Sequence, residues 1–368
     1  MSAEETSADA SSECAIRGEF SIGKHGRMIV LPVELGGRTI ECLVDTGAGL
    51  TGFDIGLEDE LGSPEGFRML QTPRGISRRP AYQWPDVTLS GQRFRTNRAV
   101  VGLDLEDVRL ATNSRIQGVI GFDVLRQNRM QIDFDQGKLR FLDEFTPDIA
   151  ASLGLRIPLE LTEYAPPFVM GSAGKRHRLR FLIDTGTQGN SLDADKFDEL
   201  LDMDEVTLGS EFESVTAAGH AKGERGYVES LSLGPFTLRK QRVARININS
   251  LGLRFLSRFV VTFDFPGRSL YLKKGRHFDR PEPDATSGLS LLWEHHEPVV
   301  QGVREGGPAA RAGLRPQDVV VAVNGDEKLT RDPFALRQLL TNSPGTKVAM
   351  RVRRLSREFA VDLVLDPD

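Results

Sequence analysis

Cysteine is almost missing from this chain: Cys14 and Cys42 are the two among 368 residues. That is too few for a disulfide framework. Cys42 sits in an apolar run and reads as a small buried residue. Cys14 sits in a stretch rich in Ser, Ala and Glu, and no bridge between the two is expected. Long apolar runs are missing too. None approaches the roughly 18 residues of a membrane helix, so no membrane span is predicted. Residues 1–18 hold neither a basic n-region nor an apolar h-region, so no signal peptide is visible. Compartment stays open: periplasmic or secreted if a signal has been removed, cytoplasmic otherwise.

A basic excess is also lacking. The net charge of −5 argues against a nucleic-acid partner, and the arginines at Arg78-Arg79 and at 351–357 read as solvated strand edges. There is no phosphate-binding glycine loop and no Gly-x-Ser-x-Gly nucleophile elbow. His295-His296, between Glu294 and Glu297, are adjacent rather than at ligand spacing on one face. No metal and no organic cofactor is predicted.

What is present points to β structure. Glycine is plentiful at 37 residues, segments are short and turn-punctuated, and the length suits two or three domains. Residues 1–23 read as a disordered or loosely packed tail. A strand from Met28 to Leu35 turns at Gly36-Gly37 and returns over Thr39 to Val44. That return ends as Leu43-Val44-Asp45-Thr46-Gly47, and the same phrase recurs as Leu182-Ile183-Asp184-Thr185-Gly186.

The repeat extends beyond the phrase. Val119-Ile120-Gly121 leads to a closing hairpin through Asp133, and Ser250-Leu251-Gly252 leads to another through Asp264. Both glycine-to-aspartate spacings are 12 residues. This is a duplication at long period, not a solenoid. It divides the chain into a first lobe at 24–146, a second at 147–278, a proline-rich linker at 279–287 and a separate module at 288–368. The module carries helices over 308–313 and 333–340, the first with Pro at its start and Gly just past its end.

An apolar strand that ends in Asp-Thr-Gly delivers a carboxylate into the interior. Two carboxylates held a few ångströms apart cannot both ionise near neutrality, so one proton is shared. The ionised member can activate water as general base while the protonated member hydrogen-bonds a carbonyl. The glycines permit close backbone approach, and the threonines can bond across the junction. A single Asp-Thr-Gly is a plain turn often enough. Two, each behind an apolar strand and each followed by apolar-Gly-helix, point to a paired site.

At these residues the chain resembles aspartic peptidases of the retropepsin/pepsin type, over roughly residues 27–273. The resemblance implies a mainly β protein with two pseudo-symmetric acid-protease lobes and Asp45 and Asp184 as the catalytic dyad. Thr46, Gly47 and Ala48, with Thr185, Gly186 and Thr187, would support the catalytic loops. Ile120, Gly121, Leu251 and Gly252 would form the ψ-shaped loops beneath them. Two lobes in one chain mean that the site does not require a dimer. Ser250 stands where that family has an apolar residue. Tyr82 is the nearest counterpart of a flap tyrosine, and residues 68–79 and 214–225 are the expected flaps. Thr187, opposite Ala48 in the first copy, is expected to donate its hydroxyl to Asp184 and make Asp184 the ionised partner.

The C-terminal module resembles an α+β PDZ domain of the bacterial protease-associated kind, through Gly306-Gly307-Pro308-Ala309-Ala310-Arg311-Ala312-Gly313-Leu314 and Val323-Asn324-Gly325. Gln317 replaces a usual glycine, which should alter the turn only. The resemblance implies binding of a peptide C-terminus by strand addition, with Gly288, Leu289, Ser290 and Leu291 as the carboxylate loop and the 333–340 helix as the other wall. The expected function is aspartic endopeptidase activity on protein or peptide substrates, with the PDZ groove for recruitment or regulation. The alternative is a catalytically silent peptide-binding scaffold.

Overall fold

Val30–Leu35 (β1) alternates apolar and polar residues, and its burial follows: Leu31, Val33 and Leu35 are inside, Pro32 and Glu34 outside. Gly36 and Gly37 turn it with φ of 56° and 86°. A two-residue hairpin loop of matching twist needs both central residues at positive φ, which is why glycine occupies both. The return strand Arg38–Val44 (β2) runs straight to Asp45. The computed structural model describes residues 14–72, 75–89, 91–162, 165–175, 177–216 and 219–368.

The first sheet continues with Gly52–Asp54 (β3), the hairpin Gly66–Thr72 (β4) and Gly75–Tyr82 (β5), and Val100–Leu103 (β6). Helix Glu106–Thr112 (α1) then leads to Ile116–Ile120 (β7). β7 lies parallel to β2, with Leu43 opposite Val119 and Val44 opposite Ile120, and antiparallel to β3. A parallel neighbour buried on both faces must be apolar throughout, as Val119-Ile120 is.

The second sheet places His177–Ile183 (β8) parallel to a later strand in the same way. Asn190–Asp193 (β9) follows β8, then a hairpin of Phe212–Thr216 (β10) and Gly219–Gly223 (β11), and finally Ser250–Leu251 (β12). β12 lies parallel to β8, with Ile183 opposite Leu251, and antiparallel to β9. The closing hairpins of the two halves join in a third sheet: Arg129–Asp133 pairs antiparallel with Phe259–Asp264. One large apolar core runs through all three sheets, and a smaller cluster around Leu43, Val101, Leu105 and Val119 joins the first sheet to α1.

The PDZ module has its own core, around Trp293, Val300, Leu336 and Val352. Its five-stranded sheet begins with Leu289–Glu294 (β13), an edge strand, and helix Pro333–Leu339 (α2) lies nearby. Gln317 does sit in the turn, at φ 72°. Left-handed backbone costs a side-chain-bearing residue about 1–2 kcal/mol, part of which glycine returns through its freer unfolded chain. Gln317→Gly is therefore expected to stabilise the fold by about 0.5–1 kcal/mol, read as a higher denaturant midpoint with an unchanged slope.

Three expectations change. The expectation of a loose tail over 1–23, of which 1–13 lie outside the described residues, fails over the rest: Ile16–Ser21 is a strand on Lys138–Leu142, with Phe20 edge-on to Phe141 at 6.1 Å. The closing hairpin left an open edge, and this segment fills it. The linker over 279–287 is not a free spacer. Buried Glu282 pairs with Arg254 and Arg258, and Ala285–Thr286 pairs with Asp366–Pro367. Tyr82 is not at a flap tip but is 3% exposed in the core.

Two clasps hold the PDZ module in place. Arg27 donates bidentately to Asp332 at 2.6 and 2.5 Å and stacks its guanidinium 4.9 Å from the Phe334 ring centre. Asp368, whose side chain is fully buried, takes Arg225 at 3.1 Å, Arg242 at 3.4 Å and the Tyr227 hydroxyl at 3.2 Å.

Candidate active site

β2 and β8 end at Asp45 and Asp184 because their partners β7 and β12 fix the register. The Asp45 amide donates to the Ile120 carbonyl at 3.0 Å and the Asp184 amide to the Leu251 carbonyl at 3.1 Å. One residue on, Thr46 and Thr185 are both fully buried. Thr46 Oγ1 donates to the Ile183 carbonyl at 2.6 Å, and Thr185 Oγ1 to the Val44 carbonyl at 2.8 Å. Each hydroxyl also accepts the other threonine's amide, at 3.0 and 3.1 Å. Four reciprocal bonds tie the two loops, and both threonine hydroxyls and both amides are paired within the knot.

The glycines allow the final approach. A Cβ on Gly47 would sit 2.5 Å from Asp184 Cγ, and one on Gly186 would sit 2.2 Å from Asp45 Cγ. Each carboxyl rests on the other loop's glycine, so the two lie close enough to titrate together. Below them, Gly121 abuts the backbone at Leu50-Thr51, and Gly252 that at Thr187 and Gly189. Phe122 donates its amide to the Ala48 carbonyl at 2.7 Å and Leu253 to the Thr187 carbonyl at 2.9 Å. All the dyad-loop and ψ-loop residues expected from the sequence thus come together.

Both aspartates are largely buried and line a cavity of about 2120 Å³. Burial pushes both above the usual carboxylate range. Asp45 is held back by the Ala48 and Gly47 amides, which donate at 3.0 and 2.8 Å. Asp184 rises further, because burial is joined by repulsion from the Asp45 charge, and the Gly186 amide at 2.9 Å offsets this only in part. The two carboxyls titrate as a pair that shares one proton, and the larger rise at Asp184 runs opposite to the expectation that Thr187 would favour its charged form. Thr187 is tied to the ψ-loop through its carbonyl and, like Gly186, turns its backbone amide towards Asp184.

A carboxyl whose folded pKa is raised contributes stability that is complete below its unfolded pKa and is lost as pH rises through the folded value. Asp184→Asn, neutral at every pH, is therefore expected to raise the melting temperature at neutral pH. The gain should fade towards about pH 4, where the native carboxyl is itself protonated. Thermal scans of both proteins across pH check this.

The sequence reading missed a set of supporting groups. Asp123 Oδ1 accepts from the Thr51 amide at 2.9 Å and hydroxyl at 2.8 Å, beneath the first loop. Asn190 Oδ1 accepts from the Gly252 amide at 3.2 Å in the second. Ser250, odd in sequence, shares a 2.7 Å bond with the Ser191 hydroxyl, which donates on to the Ile248 carbonyl at 2.7 Å. Hairpins occur over both segments expected to be flaps, β4–β5 and β10–β11, with tips at 73–74 and 217–218 outside the described residues. Met69 and Arg79 of the first line the cavity. Gly288, with φ 73°, precedes β13, and Leu289, Ser290 and Leu291 lie in that edge strand. All four line the same cavity as the aspartates. The Gly288 and Leu289 amides are held by Thr286 Oγ1 and Ser287 Oγ, at 3.2 and 3.3 Å. Among the described residues, no group of three or more His, Cys, Asp or Glu side chains is placed to hold a metal ion.

Comparison with known proteins agrees with this layout. An aspartyl protease family model matches residues 169–255, and a PDZ domain model matches residues 299–354. A putative zinc metalloprotease of Agrobacterium fabrum is 35% identical over 68 residues, 18% of either chain. A probable periplasmic serine endoprotease, DegP-like, of Brucella suis is 32% identical over 83 residues, 22% of this chain and 16% of that one. This chain thus spans less than a fifth of the length of the curated relatives it matches. Neither match is long enough to contain both Asp45 and Asp184. Among solved structures, the photosystem II D1 C-terminal processing protease matches at 22% identity over 23% of each chain, with a TM-score of 0.22. The PDZ domain of a carboxy-terminal protease from Vibrio cholerae, solved with a peptide, matches at 22% identity over 23% of this chain and 94% of that one, with a TM-score of 0.21. The chain is a mainly β protein that carries an aspartyl protease domain, matched at 169–255, followed by a PDZ domain, matched at 299–354.

Proposed function

We propose that this protein is an aspartic endopeptidase built from two duplicated lobes, with Asp45 and Asp184 as its catalytic pair and a PDZ domain that binds peptide ends. The observation that carries this is the reciprocal threonine knot, which holds two carboxyls in contact at the floor of a large cleft. A water placed between them loses a proton to the Asp45 carboxylate as its oxygen attacks the scissile carbonyl carbon. The Asp184 carboxyl donates to the carbonyl oxygen and stabilises the charge that develops there. Collapse of the tetrahedral species breaks the C–N bond, and the proton held by Asp45 passes to the leaving amine. The raised pKa of the pair places the working protonation state, one proton for two carboxyls, in acid to mildly acid solution. No partner subunit is needed to complete the pair.

The similarity to proteins named as serine and zinc proteases sets the test. The full chain is incubated with a peptide library from about pH 3 to 7, and new termini are mapped by mass spectrometry. The proposal expects cleavage that survives a serine-directed reagent and a metal chelator, and that is blocked by a peptide carrying a tetrahedral hydroxyl isostere, since such mimics of the transition state bind far more tightly than substrate. Cleavage stopped by the chelator or the serine reagent would overturn it. An absence of cleavage would leave the silent peptide-binding scaffold.

A further inference from the structure

The cavity that holds the aspartates does not end with the protease sheets. Its wall runs from Leu50, beside the pair, across Leu105 and Val108 to Leu291 of β13 and Arg337 of α2. Helix α1 makes the join. It packs against both β13 and α2, and β10 of the second unit packs against it in turn. Asn113, the left-handed cap at its end, bonds the PDZ module twice, to His296 Nδ1 at 2.7 Å and from its own Nδ2 to the Arg331 carbonyl at 2.9 Å. The groove between β13 and α2 therefore opens beneath α1 into the catalytic cleft.

Arg337 crosses this groove. Its guanidinium donates to the Leu291 carbonyl at 3.1 Å and lies 4.9 Å from the Trp293 ring centre. β13 is an edge strand, so the Leu291 carbonyl reached from α2 is one that an added strand would use. Among the described residues no carboxylate pairs with Arg337, and its enclosure alone draws its pKa down to about 10. A cation in a confined groove without a counter-charge is a seat for an anionic side chain.

We infer that the PDZ groove is an exosite inside the catalytic chamber: one polypeptide lays its C-terminal tail along β13, sets an acidic side chain of that tail on Arg337, and passes beneath α1 so that an upstream bond meets Asp45 and Asp184. This rests on the proteolytic reading above. The guanidinium leaves the Leu291 carbonyl for the acidic side chain, and a tail amide takes its place on that carbonyl. Substrates are then polypeptides with accessible acidic C-terminal tails, cut at a fixed number of residues from the end.

The test uses the full chain and three fluorogenic peptides that share one cleavage segment: with an acidic C-terminal tail, with that acid replaced by its amide, and with no tail. The acidic tail is expected to lower KM about tenfold against the amide version, with kcat little changed. In Arg337→Glu this ratio falls to about one, and a tail with Lys at the same position becomes the preferred one. Lengthening the tail should move the cut so that its distance from the C-terminus is kept. Equal KM for all three peptides, or cuts that ignore the C-terminus, would overturn the inference. Binding is read separately in Asp184→Asn, using the acidic tail peptide with a benzophenone upstream of the tail. Crosslinks to the protease-side cavity wall support a shared chamber even if no peptide is ever cut, a result that would sink only the proteolytic reading. Crosslinks confined to the PDZ module overturn the shared chamber.

Discussion

Asp45→Asn and Asp184→Asn are each expected to lower kcat/KM for peptide cleavage by about 10⁴-fold, and the double variant to be no slower than either single one. In the proposed mechanism the pair works as a unit: one carboxyl takes the proton of the attacking water while the other steadies the carbonyl oxygen. With either oxygen replaced by an amide, the remaining aspartate has no partner with which to share a proton. The backbone should tolerate both changes. The Gly47 and Gly186 amides still have an amide oxygen to donate to, and the threonine knot involves neither aspartate side chain. Steady-state kinetics, with circular dichroism to confirm the fold, check the result. Single variants that multiply in the double would mean two independent contributions instead of a dyad.

The second large effect comes from adding a methyl group. In Gly186→Ala the new Cβ would fall 2.2 Å from Asp45 Cγ and 2.3 Å from its Oδ2. Thr185, one residue earlier, is locked into the first loop by three hydrogen bonds, so the backbone cannot withdraw and the Asp45 carboxyl must move. A displacement of about 1 Å at reacting atoms costs about 10²-fold in rate, and overpacking of this kind costs about 1–3 kcal/mol in stability. The expected result is a fall in kcat of about 100-fold or more, at a stability cost that leaves the chain folded. Gly189→Ala is the comparison, because its Cβ meets nothing within 4 Å. Equal activity in the two variants would show that the carboxyl contact across the loops does not matter.

Most of the candidate site was legible because the chain states it twice. Asp45, Thr46 and Gly47 recur as Asp184, Thr185 and Gly186 at strand ends whose apolar residues announce burial, and the ψ-loop glycines follow in each half. The groups that differ between halves were not legible. Asp123 supports the first loop and Asn190 the second, through side-chain-to-backbone bonds that no spacing rule anticipates. The charge balance of the pair was not legible for a related reason. It depends on burial, on the neighbouring charge and on the backbone amides that face the carboxyls, Gly47 and Ala48 on Asp45 and Gly186 and Thr187 on Asp184, whereas the sequence offers only the side chains. Helix α1 went unseen because its three apolar residues, Val108, Leu110 and Ala111, carry too short a pattern to separate from a loop. Its importance lies in contacts made far along the chain, with β13 and α2. Glu282 in the linker and Asp368 beyond the last long strand carry no signal in the sequence that marks them as buried. They are buried because arginines distant in sequence meet them.

The central claim is that two aspartates share one proton and hydrolyse peptide bonds only in that state. The pH dependence of kcat/KM for a peptide without ionisable side chains tests this most directly. The account predicts a bell on the acid side of neutrality. Its acid limb marks protonation of Asp45, and its alkaline limb marks loss of the proton held by Asp184, whose pKa is pushed up by burial and by the Asp45 charge. A rate that rises through neutrality to a plateau, as a single unpaired base would give, would contradict it.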